Sequence, residues 1–383
     1  MEPLSLAFIR EAVGGKLGGA PAALGLLFTN ICTDSRQIRK GDFFIPLSGE
    51  KYDGHAYLKE VVAKGAAGAL IETGKYIEHP SVPTIEVRNT RKALCDLGGA
   101  YRNRFDIPVI AVGGSNGKTT TKELLASVLR QKFVTLYNEA SFNNDVGVPL
   151  TLLRMAGHHQ VAVLEVGTNH PGELAPLLRT INPALGVLTS IGREHLEFFG
   201  DIDGVIREEG EVARCLPREG CLFLNADSQG MDTISKMTRA KVVLTGTAVE
   251  ADYRAQELRM DESGSTFHLS CGGRKNLEGD YRVNLLGSYQ VSNALLAISV
   301  AGGLGMDRAE IWRGLADCKP AKMRMERVEV QGIHFLNDAY NANADSMLGS
   351  LRTLGELPCR GRKIAVLGDM SELGEQSEMA HVE

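Results

Sequence analysis

Residues 107–123 read IPVIAVGGSNGKTTTKE, and this stretch decides the class of fold. An apolar run typical of a strand buried on both faces leads into a glycine-rich turn. The turn ends in Lys118 and Thr119, where a helix is predicted to begin. Backbone N–H groups of such a turn, together with the positive end of the following helix, create a binding site for an anion. The stretch therefore predicts a phosphate site between a strand and a helix.

The loop departs from the strict eight-residue phosphate-loop pattern, because Val112 stands where that pattern has its first glycine. The shorter form Gly-Ser-Asn-Gly-Lys-Thr-Thr fits, with Lys118 expected to reach the outer phosphates and Thr119 to offer its hydroxyl to Mg2+. The alternative is an ordinary turn with an exposed lysine. The residues predicted to hold the nucleotide phosphates are Gly114, Ser115, Asn116, Gly117, Lys118, Thr119 and Thr120.

Composition limits the function classes. The 383 residues are 43% hydrophobic and 23% charged, which is typical of a globular protein, and the length suggests two or three domains. The net charge of -5 gives no basic surface for nucleic acid. No uninterrupted apolar stretch is long enough to cross a membrane, and seven scattered cysteines without CxxC pairs predict neither disulfides nor a zinc site. We expect a monomeric cytoplasmic protein without membrane insertion.

From Ile107 onward, apolar runs alternate with helical segments, which predicts a doubly wound parallel sheet. The runs are IPVIAV, VAVLEV, LGVLTSI and CLFLNA. Before them, DFFIPL, GALIE and PTIEV predict strands of a small α/β domain. After Pro320, the segments GIHFLNDAY, SMLGSLRTLGEL and KIAVLGDM predict a new βαβ unit, and with only 63 residues left this domain is expected to be incomplete. The predicted domains are 1–104, 105–320 and 321–383.

Two side chains are predicted at the carboxyl edge of the central sheet, where ligands of such folds bind. Glu165 ends the run VAVLEV and is a candidate metal ligand, since phosphoryl transfer needs a divalent cation to screen the phosphate oxygens. His195, in SIGREHLEFFG, follows the next strand. The alternatives are a solvated or capping acid and a surface histidine.

The short phosphate loop resembles that of the Mur ligase family, the ATP-dependent amide-bond-forming enzymes of peptidoglycan synthesis. The segments SFNNDVGVPLTLL, EVGTNHPGEL, DAYNANADSM and VLGDMSELGE resemble the branch that joins D-alanyl-D-alanine to UDP-N-acetylmuramoyl-tripeptide, and DAYNANADSM is the most specific. The resemblance implies a three-domain α/β architecture: a small N-terminal domain, a central doubly wound P-loop-type sheet and a truncated Rossmann-like C-terminal domain. It also implies ATP and Mg2+ as cofactors.

Carried over residue by residue, the resemblance implies that Glu165 and His195 bind magnesium together with Thr119. Glu209, in GVIREEGEV, stands where relatives carry a lysine that becomes carbamylated. Glutamate keeps the negative charge of the carbamylated lysine, but its carboxylate reaches roughly 3 to 4 Å less far from the backbone. We therefore predict that Glu209 acts on the metal through a bridging water without carbamylation. The alternative is an acid on an exposed helix face.

The resemblance also assigns nucleotide and substrate residues. It places Asn293 near the adenine, Arg324 at the terminal phosphate and Asp338 at the ribose, with the ATP site completed when the third domain closes. Tyr289 and Gln290 replace a His and an Asn of the family pattern. The residues implied to bind the UDP-linked peptide are Ser35, Arg36, Gly49, Asp53 and His55, with Asn143, Asn144, Asn169 and His170 in loops facing the interdomain cleft.

The implied reaction transfers the γ-phosphoryl group of ATP to the terminal carboxylate of the tripeptide, and the amine of D-alanyl-D-alanine then attacks the acyl phosphate. Lys118, Glu165, His195, Glu209 and Arg324 are the implied catalytic residues. Two alternatives remain. One is a sister ligase that adds a single amino acid, or glutamates to folate. The other is a nucleotide-binding homologue that has lost ligase activity. Glu209, Tyr289 and Gln290 favour this alternative because they depart from the family pattern.

Overall fold

The computed structural model describes residues 1–49, 51–75, 81–359 and 361–383. The strands are β1 (Leu4–Ser5), β2 (Lys16–Gly19), β3 (Leu27–Phe28), β4 (Ile31–Cys32), β5 (Phe43–Phe44), β6 (Gly68–Glu72), β7 (Pro83–Val87), β8 (Val109–Gly113), β9 (Thr135–Tyr137), β10 (Val161–Glu165), β11 (Leu185–Leu188), β12 (Cys221–Asn225), β13 (Lys241–Gly246), β14 (Tyr253–Asp261), β15 (Gly264–Ser270), β16 (Gly279–Val283), β17 (Glu326–Val330) and β18 (Ile333–Asn337). The helices are α1 (Leu6–Val13), α2 (Leu58–Ala63), α3 (Thr90–Arg102), α4 (Lys118–Leu129), α5 (Gly147–Leu153), α6 (Leu174–Ile181), α7 (Leu196–Phe199), α8 (Ile202–Glu209), α9 (Glu211–Arg214), α10 (Met231–Ser235), α11 (Tyr289–Gly303), α12 (Arg308–Asp317), α13 (Ala344–Glu356) and α14 (Ser377–Val382).

The chain divides into two compact units. The first contains Met1–Asp106, Phe142–His159 and Arg179–Ile181, and the second contains Ile107–Ser141, Gln160–Leu178 and Asn182–Glu383. Within the described ranges, no helix has the length and apolar character needed to cross a bilayer.

The first unit is built on a five-stranded sheet in the order β2-β7-β6-β5-β4. Strands β4 to β7 run parallel, and β2 pairs antiparallel with β7 at the edge. Helix α2 packs Leu58 and Val61 against Phe44 and Ala69 of the sheet. The small α/β fold predicted for the N-terminal part of the chain is confirmed.

The second unit is built on a nine-stranded sheet in the order β16-β15-β14-β13-β12-β11-β8-β10-β9. The seven strands from β14 to β9 in this order, including β8, run parallel. At the other edge, β15 pairs antiparallel with both β14 and β16. Strands β8 and β10 are buried along their whole length, which is why their sequences are continuous apolar runs. The predicted doubly wound parallel sheet is confirmed.

Strand β8 lies between β10 and β11, so the direction of winding changes beside it. In open α/β sheets such a switch point leaves a crevice at the carboxyl ends of the strands, where ligands bind. The loops that follow β8, β10 and β11 all start at this edge of the sheet.

Residues 321–383 belong to the second unit, where β17 and β18 form an antiparallel hairpin followed by α13. The predicted βαβ unit is wrong here, because KIAVLGDM (363–370) forms no strand and its side chains Ile364 and Val366 are exposed. A βαβ unit needs two parallel strands side by side. Strand β18 pairs antiparallel with its hairpin partner, and no described strand lies parallel to it.

Candidate functional site

The glycines of the phosphate loop are required by the close approach of neighbouring groups. Gly114 and Gly117 have φ values of +115° and +86°, in the region that favours glycine. A Cβ atom on Gly114 would lie 2.4 Å from Thr189 Oγ1, and one on Gly117 would lie 2.6 Å from Asn293 Oδ1. The backbone of the loop is therefore packed against its surroundings on two sides.

The loop after β11 holds the phosphate loop in place through several hydrogen bonds. Ser115 N donates to Ser190 O at 2.7 Å, and Asn116 N donates to Ser190 Oγ at 3.0 Å. In return, Thr189 Oγ1 donates to Asn116 O at 2.6 Å, and Gly192 N donates to Ser115 Oγ at 2.8 Å. These bonds fix the curvature of the loop ahead of helix α4.

Lys118 is surrounded by carboxylates. Its Nζ donates to the carbonyl oxygen of Gly114 and lies 3.4 Å from Glu194 Oε2. Burial by itself lowers the pKa of Lys118, but the negative charges of Glu194, Glu209 and Glu165 together raise the pKa above its ordinary value. Lys118 is therefore a fixed positive charge at the mouth of the loop.

Glu194 is a site residue that the sequence analysis missed. It directly precedes His195 in the loop after β11, so the only available signal was an acid at the carboxyl edge of the sheet. The side chain of Glu194 is 6% exposed, and its Oε1 has no hydrogen-bond partner among the described residues. The buried hydroxyl of Thr119 and the Oε1 of Glu209 share that property.

These oxygen atoms fit a divalent cation. Mg2+ prefers oxygen ligands, keeps several waters and is commonly held by one or two carboxylates together with substrate phosphates. Among the described residues, no group of three or more His, Cys, Asp or Glu side chains is arranged as a complete metal site. The available oxygens suit a cation whose remaining ligands are waters and phosphates.

Glu165 ends β10, as predicted, and its side chain is buried, so the alternative of a solvated acid is wrong. Its backbone is held by Asn138, whose side-chain amide donates to Glu165 O at 3.0 Å and accepts from Glu165 N at 2.9 Å. Asn138, which the sequence analysis also missed, fixes where β10 ends.

His195 has a left-handed backbone conformation, with φ of +48°. Its Nδ1 is paired with the carboxylate of Glu372, which lies in the SELGE segment. Glu372 O also accepts a hydrogen bond from Glu197 N at 3.0 Å. The structure thus gives His195 a carboxylate partner, and its role as a metal ligand stays a prediction.

Glu209 is buried rather than exposed, so the alternative of an acid on an exposed helix face is wrong. The residue ends α8, and its Oε2 accepts a hydrogen bond of 2.6 Å from Gly114 N in the phosphate loop. Burial raises the pKa of Glu209, and the nearby charge of Lys118 opposes that rise. Its action on a metal through a water stays a prediction.

Asn293 lies on α11 beside the phosphate loop. Its Oδ1 accepts from Thr121 Oγ1 at 3.2 Å, and its Nδ2 donates to Gln290 Oε1 at 2.9 Å. Both Asn293 and Gln290 are buried. The glutamine at position 290 therefore orients Asn293.

A cavity of about 210 Å³ opens next to this pair. Its lining includes Thr120, Gln290, Arg324, Asn284, Leu286 and Ser263. The guanidinium of Arg324 lies 4.3 Å from the ring centroid of Tyr340. Asp338 accepts a hydrogen bond from Met325 N at 3.0 Å and another from the hydroxyl of Ser350. The structure thus brings two predicted nucleotide residues, Thr120 and Arg324, to one cavity.

In the first unit, Arg36 is held by an acid that the sequence analysis did not single out. Its Nε and Nη2 donate to the two carboxylate oxygens of Asp34 at 2.9 and 2.8 Å. The carbonyl oxygen of the neighbouring Ser35 accepts from Lys64 Nζ at 3.1 Å. These contacts fix the direction of the Arg36 side chain.

Asp53, His55 and Lys75 form a hydrogen-bond network in which the His55 side chain is buried. The Oδ1 of Asp53 accepts from His55 Nδ1 at 2.7 Å, and its Oδ2 accepts from Lys75 Nζ at 2.8 Å. His55 Nε2 accepts from Glu72 N at 3.1 Å, so the proton of the neutral ring is assigned to Nδ1. Gly49 N donates to Tyr52 O at 2.8 Å in the same loop. The network fixes the loop to strand β6.

The four remaining substrate candidates lie in loops. Asn144 Oδ1 accepts from Val146 N and Gly147 N at 3.1 and 2.9 Å, so this side chain holds the start of α5, next to Asn143. In the second unit, the N–H groups of Asn169 and His170 donate to Glu173 Oε2 at 2.9 and 3.1 Å. The His170 ring also lies 4.2 Å from the ring of Phe198.

A glycine-rich anion loop at the switch point of a parallel sheet defines an α/β protein of the phosphate-binding-loop class. Three family models match along the chain: the Mur ligase family catalytic domain over residues 27–102, the Mur ligase middle domain over 112–301, and the Mur ligase glutamate ligase domain over 323–383. The chain belongs to the Mur ligase family.

Relatives match nearly the whole chain. It is 32% identical over 386 residues to UDP-N-acetylmuramoyl-tripeptide--D-alanyl-D-alanine ligase of Escherichia coli, with 100% of this chain and 83% of the relative covered. The enzyme of the same name from Bacillus subtilis is 32% identical over 376 residues, covering 98% and 80%.

Solved structures show the same similarity. MurF from Acinetobacter baumannii aligns with a TM-score of 0.92 and 31% identity, covering 100% of this chain and 82% of its own. MurF ligase from Thermotoga maritima in complex with ADP aligns with a TM-score of 0.82 and 25% identity, covering 92% and 80%.

Proposed function

We propose that this chain is an ATP-dependent ligase that joins D-alanyl-D-alanine to UDP-N-acetylmuramoyl-tripeptide, forming ADP and phosphate. The proposed setting is peptidoglycan precursor synthesis in the cytoplasm, by a monomer. The observation that carries the proposal is the position of Lys118, held at the mouth of the phosphate loop among Glu194, Glu209 and Glu165. Similarity over 98–100% of this chain to relatives named for this reaction supports the choice of substrates.

The nucleotide phosphates are assigned to the loop of residues 114–120, where backbone N–H groups and the start of α4 favour negative charge. A solved relative in complex with ADP supports nucleotide binding by this chain. The cavity beside Asn293 and Gln290 is the proposed place of the base, with Arg324 at its edge. Asp338 is assigned to the ribose.

The residues that would hold Mg2+ are Thr119, Glu165 and His195, with Glu194 added from the structure. When bound, the ion supplies charge screening for the oxygens of the phosphoryl group in transfer.

The chain's own contribution to the reaction is positioning and charge. A carboxylate is unreactive toward an amine, and phosphorylation converts it into an acyl phosphate whose phosphate can leave. Lys118 stabilises the charge that moves onto the phosphate oxygens, because a fixed cation in a partly buried site needs little reorganisation. Attack by the neutral amine of D-alanyl-D-alanine forms the C–N bond, releases phosphate and gives up one proton. No side-chain nucleophile is needed.

The UDP-linked peptide is assigned to Ser35, Arg36, Gly49, Asp53 and His55 in the first unit and to the loops of residues 143–144 and 169–170. In the structure, Asp53 and His55 fix the loop, whereas the Arg36 side chain is 86% exposed and oriented by Asp34. Among the side chains of this set with described contacts, Arg36 is the cation best placed to meet an anionic group.

The proposal is tested by phosphate release from ATP with UDP-N-acetylmuramoyl-tripeptide, with and without D-alanyl-D-alanine, and with product masses recorded. The expected result is release that needs both substrates and a product heavier by the dipeptide less one water. Parallel reactions with a diamino acid, and with glutamate and folate, test the sister ligases. Phosphate release at the same rate with and without the peptide substrates would instead support a homologue without ligase activity.

A further inference from the structure

Helix α8 ends in two consecutive buried carboxylates, Glu208 and Glu209. They contact different loops. Glu209 accepts the N–H of Gly114 in the loop after β8, whereas Glu208 contacts the segment Thr168–Leu174 after β10. Since β8 and β10 are neighbours in the sheet, one helix end touches two adjacent loops of the site.

Glu208 accepts two backbone hydrogen bonds from this segment. Its Oε1 accepts from Leu174 N and its Oε2 accepts from Gly172 N, both at 2.8 Å. The hydroxyl of Thr168 lies 3.4 Å from Oε1 and donates to His170 O at 2.9 Å. Both carboxylate oxygens are therefore used to hold the segment that carries Asn169 and His170.

Glu208 also completes the start of helix α6. The first amides of a helix have no partner within the helix, and a side chain at the N-cap position usually accepts one of them. Glu173 occupies the N-cap position of α6 but makes no capping bond, and Leu174 N donates to Glu208 instead. The negative charge also lies at the positive end of the helix. The position of the loop thus depends on a residue 34 positions away in sequence.

We propose that Glu208 is a positioning residue that sets the Thr168–Leu174 loop for the UDP-linked peptide, while Glu209 sets the phosphate loop for the nucleotide. Helix α8 thereby aligns the two reactants. The inference rests on the proposed function, because Asn169 and His170 are assigned there to the peptide substrate.

Glu208→Gln provides the test. A glutamine has one acceptor oxygen, and its NH2 group would face one of the backbone donors that the carboxylate now accepts. The matched partner is Glu209→Ala, because a glutamine at position 209 would keep an oxygen for Gly114 N. The control is Glu211→Gln, which removes a neighbouring carboxylate whose described partner is Arg214 at 2.6 Å.

Two readouts are measured on the whole chain. Since losing a hydrogen bond to a charged group commonly weakens binding by about tenfold or more, we expect Glu208→Gln to raise KM for UDP-tripeptide by about tenfold and KM for ATP by less than about twofold. Glu209→Ala, which removes the acceptor of Gly114 N, should instead raise KM for ATP by more than KM for UDP-tripeptide, and Glu211→Gln should match the unchanged protein. Without substrates, amide hydrogen exchange in residues 168–174 should accelerate in Glu208→Gln only.

Equal rises of both KM values in Glu208→Gln, or unchanged exchange in residues 168–174, would overturn the inference. If that variant does not fold, exchange in the unchanged protein decides: the amides of Gly172 and Leu174 must be protected, and free exchange contradicts the contacts. If the unchanged protein shows no turnover with UDP-tripeptide, the proposed function fails, and the exchange measurement still decides whether Glu208 anchors the loop.

Discussion

The side-chain amides of Asn116 and Asn343 exchange two hydrogen bonds, with N···O distances of 2.9 and 3.4 Å. Asn116 belongs to the phosphate loop and Asn343 to the segment DAYNANADSM. Asn343 is also the N-cap of α13, where its Oδ1 accepts from Ser346 N at 2.8 Å. The segment most specific to one branch of the family therefore contacts the loop that is assigned to the phosphates.

Replacing Asn343 separates these two roles. We expect Asn343→Ala to lower the free energy of unfolding by about 1 kcal/mol, because the cap of α13 is lost. Asn343→Ser keeps a capping hydroxyl but is too short to pair with Asn116, so its stability should stay near that of the unchanged protein. Both variants should raise KM for ATP by roughly fivefold, the equivalent of one hydrogen bond. Urea unfolding and steady-state kinetics check this, and an unchanged KM in Asn343→Ser would show that the pair is irrelevant to the nucleotide.

The second prediction concerns Glu209 and pH. Because the pKa of this buried carboxyl is raised, the folded protein keeps a proton that the unfolded chain loses above about pH 4.3. The stability contributed by protonated Glu209 is thus fully present below that pH and is lost as pH rises toward the folded pKa. Glu209→Gln removes this dependence and keeps an oxygen for Gly114 N.

The Tm of Glu209→Gln minus that of the unchanged protein should therefore increase as pH is raised from about 5 to 8. Thermal unfolding at several pH values, without nucleotide, measures this difference. A difference that is constant or that shrinks with pH would show that Glu209 is not held in a site that disfavours its charge.

The third prediction concerns Lys118. Lys118→Met keeps much of the side-chain stem and removes the charge, so kcat should fall by about a thousandfold, as for other groups that stabilise transition-state charge. The empty protein should also lose stability, because Glu194, Glu209 and Glu165 lose their shared cation. Lys92→Met, at an exposed pair with Asp96, is the control and should change neither quantity. Normal turnover by Lys118→Met would remove this lysine from the reaction.

The fourth prediction concerns His55, which is buried and accepts the N–H of Glu72. His55→Leu leaves that backbone donor without its acceptor, and we expect a loss of about 1 to 3 kcal/mol in the free energy of unfolding. His268→Leu is a matched control, because His268 makes a similar 2.7 Å contact with Asp280 in an exposed position. It should cost less than about 0.5 kcal/mol. Equal losses in urea unfolding would argue against the buried network.

Local pattern was sufficient to predict most of the central sheet. The runs that became β8, β10, β11 and β12 are continuous and apolar because these strands are covered on both faces. The same criterion was wrong for residues 363–370, which read as a strand and form none. An apolar run becomes a strand only when a neighbour pairs with it, and the sequence of the run does not contain that neighbour.

The candidate site shows the same limit. The phosphate loop was visible from its glycines and Lys118, because those residues are close in sequence. Glu194 and Glu208 were missed, since each acts on a loop that lies far away along the chain and only the fold brings them together. The burial of Glu209 was equally invisible to a pattern that fits an exposed helix face.

The central claim is that the site activates a carboxylate with the γ-phosphoryl group of ATP. The most direct measurement uses UDP-N-acetylmuramoyl-tripeptide labelled with oxygen-18 in its terminal carboxylate, together with ATP and D-alanyl-D-alanine, and mass analysis of the released phosphate. An acyl phosphate transfers one labelled oxygen from the carboxylate to each phosphate, and this transfer is the predicted result. Unlabelled phosphate released alongside the amide product would contradict the account.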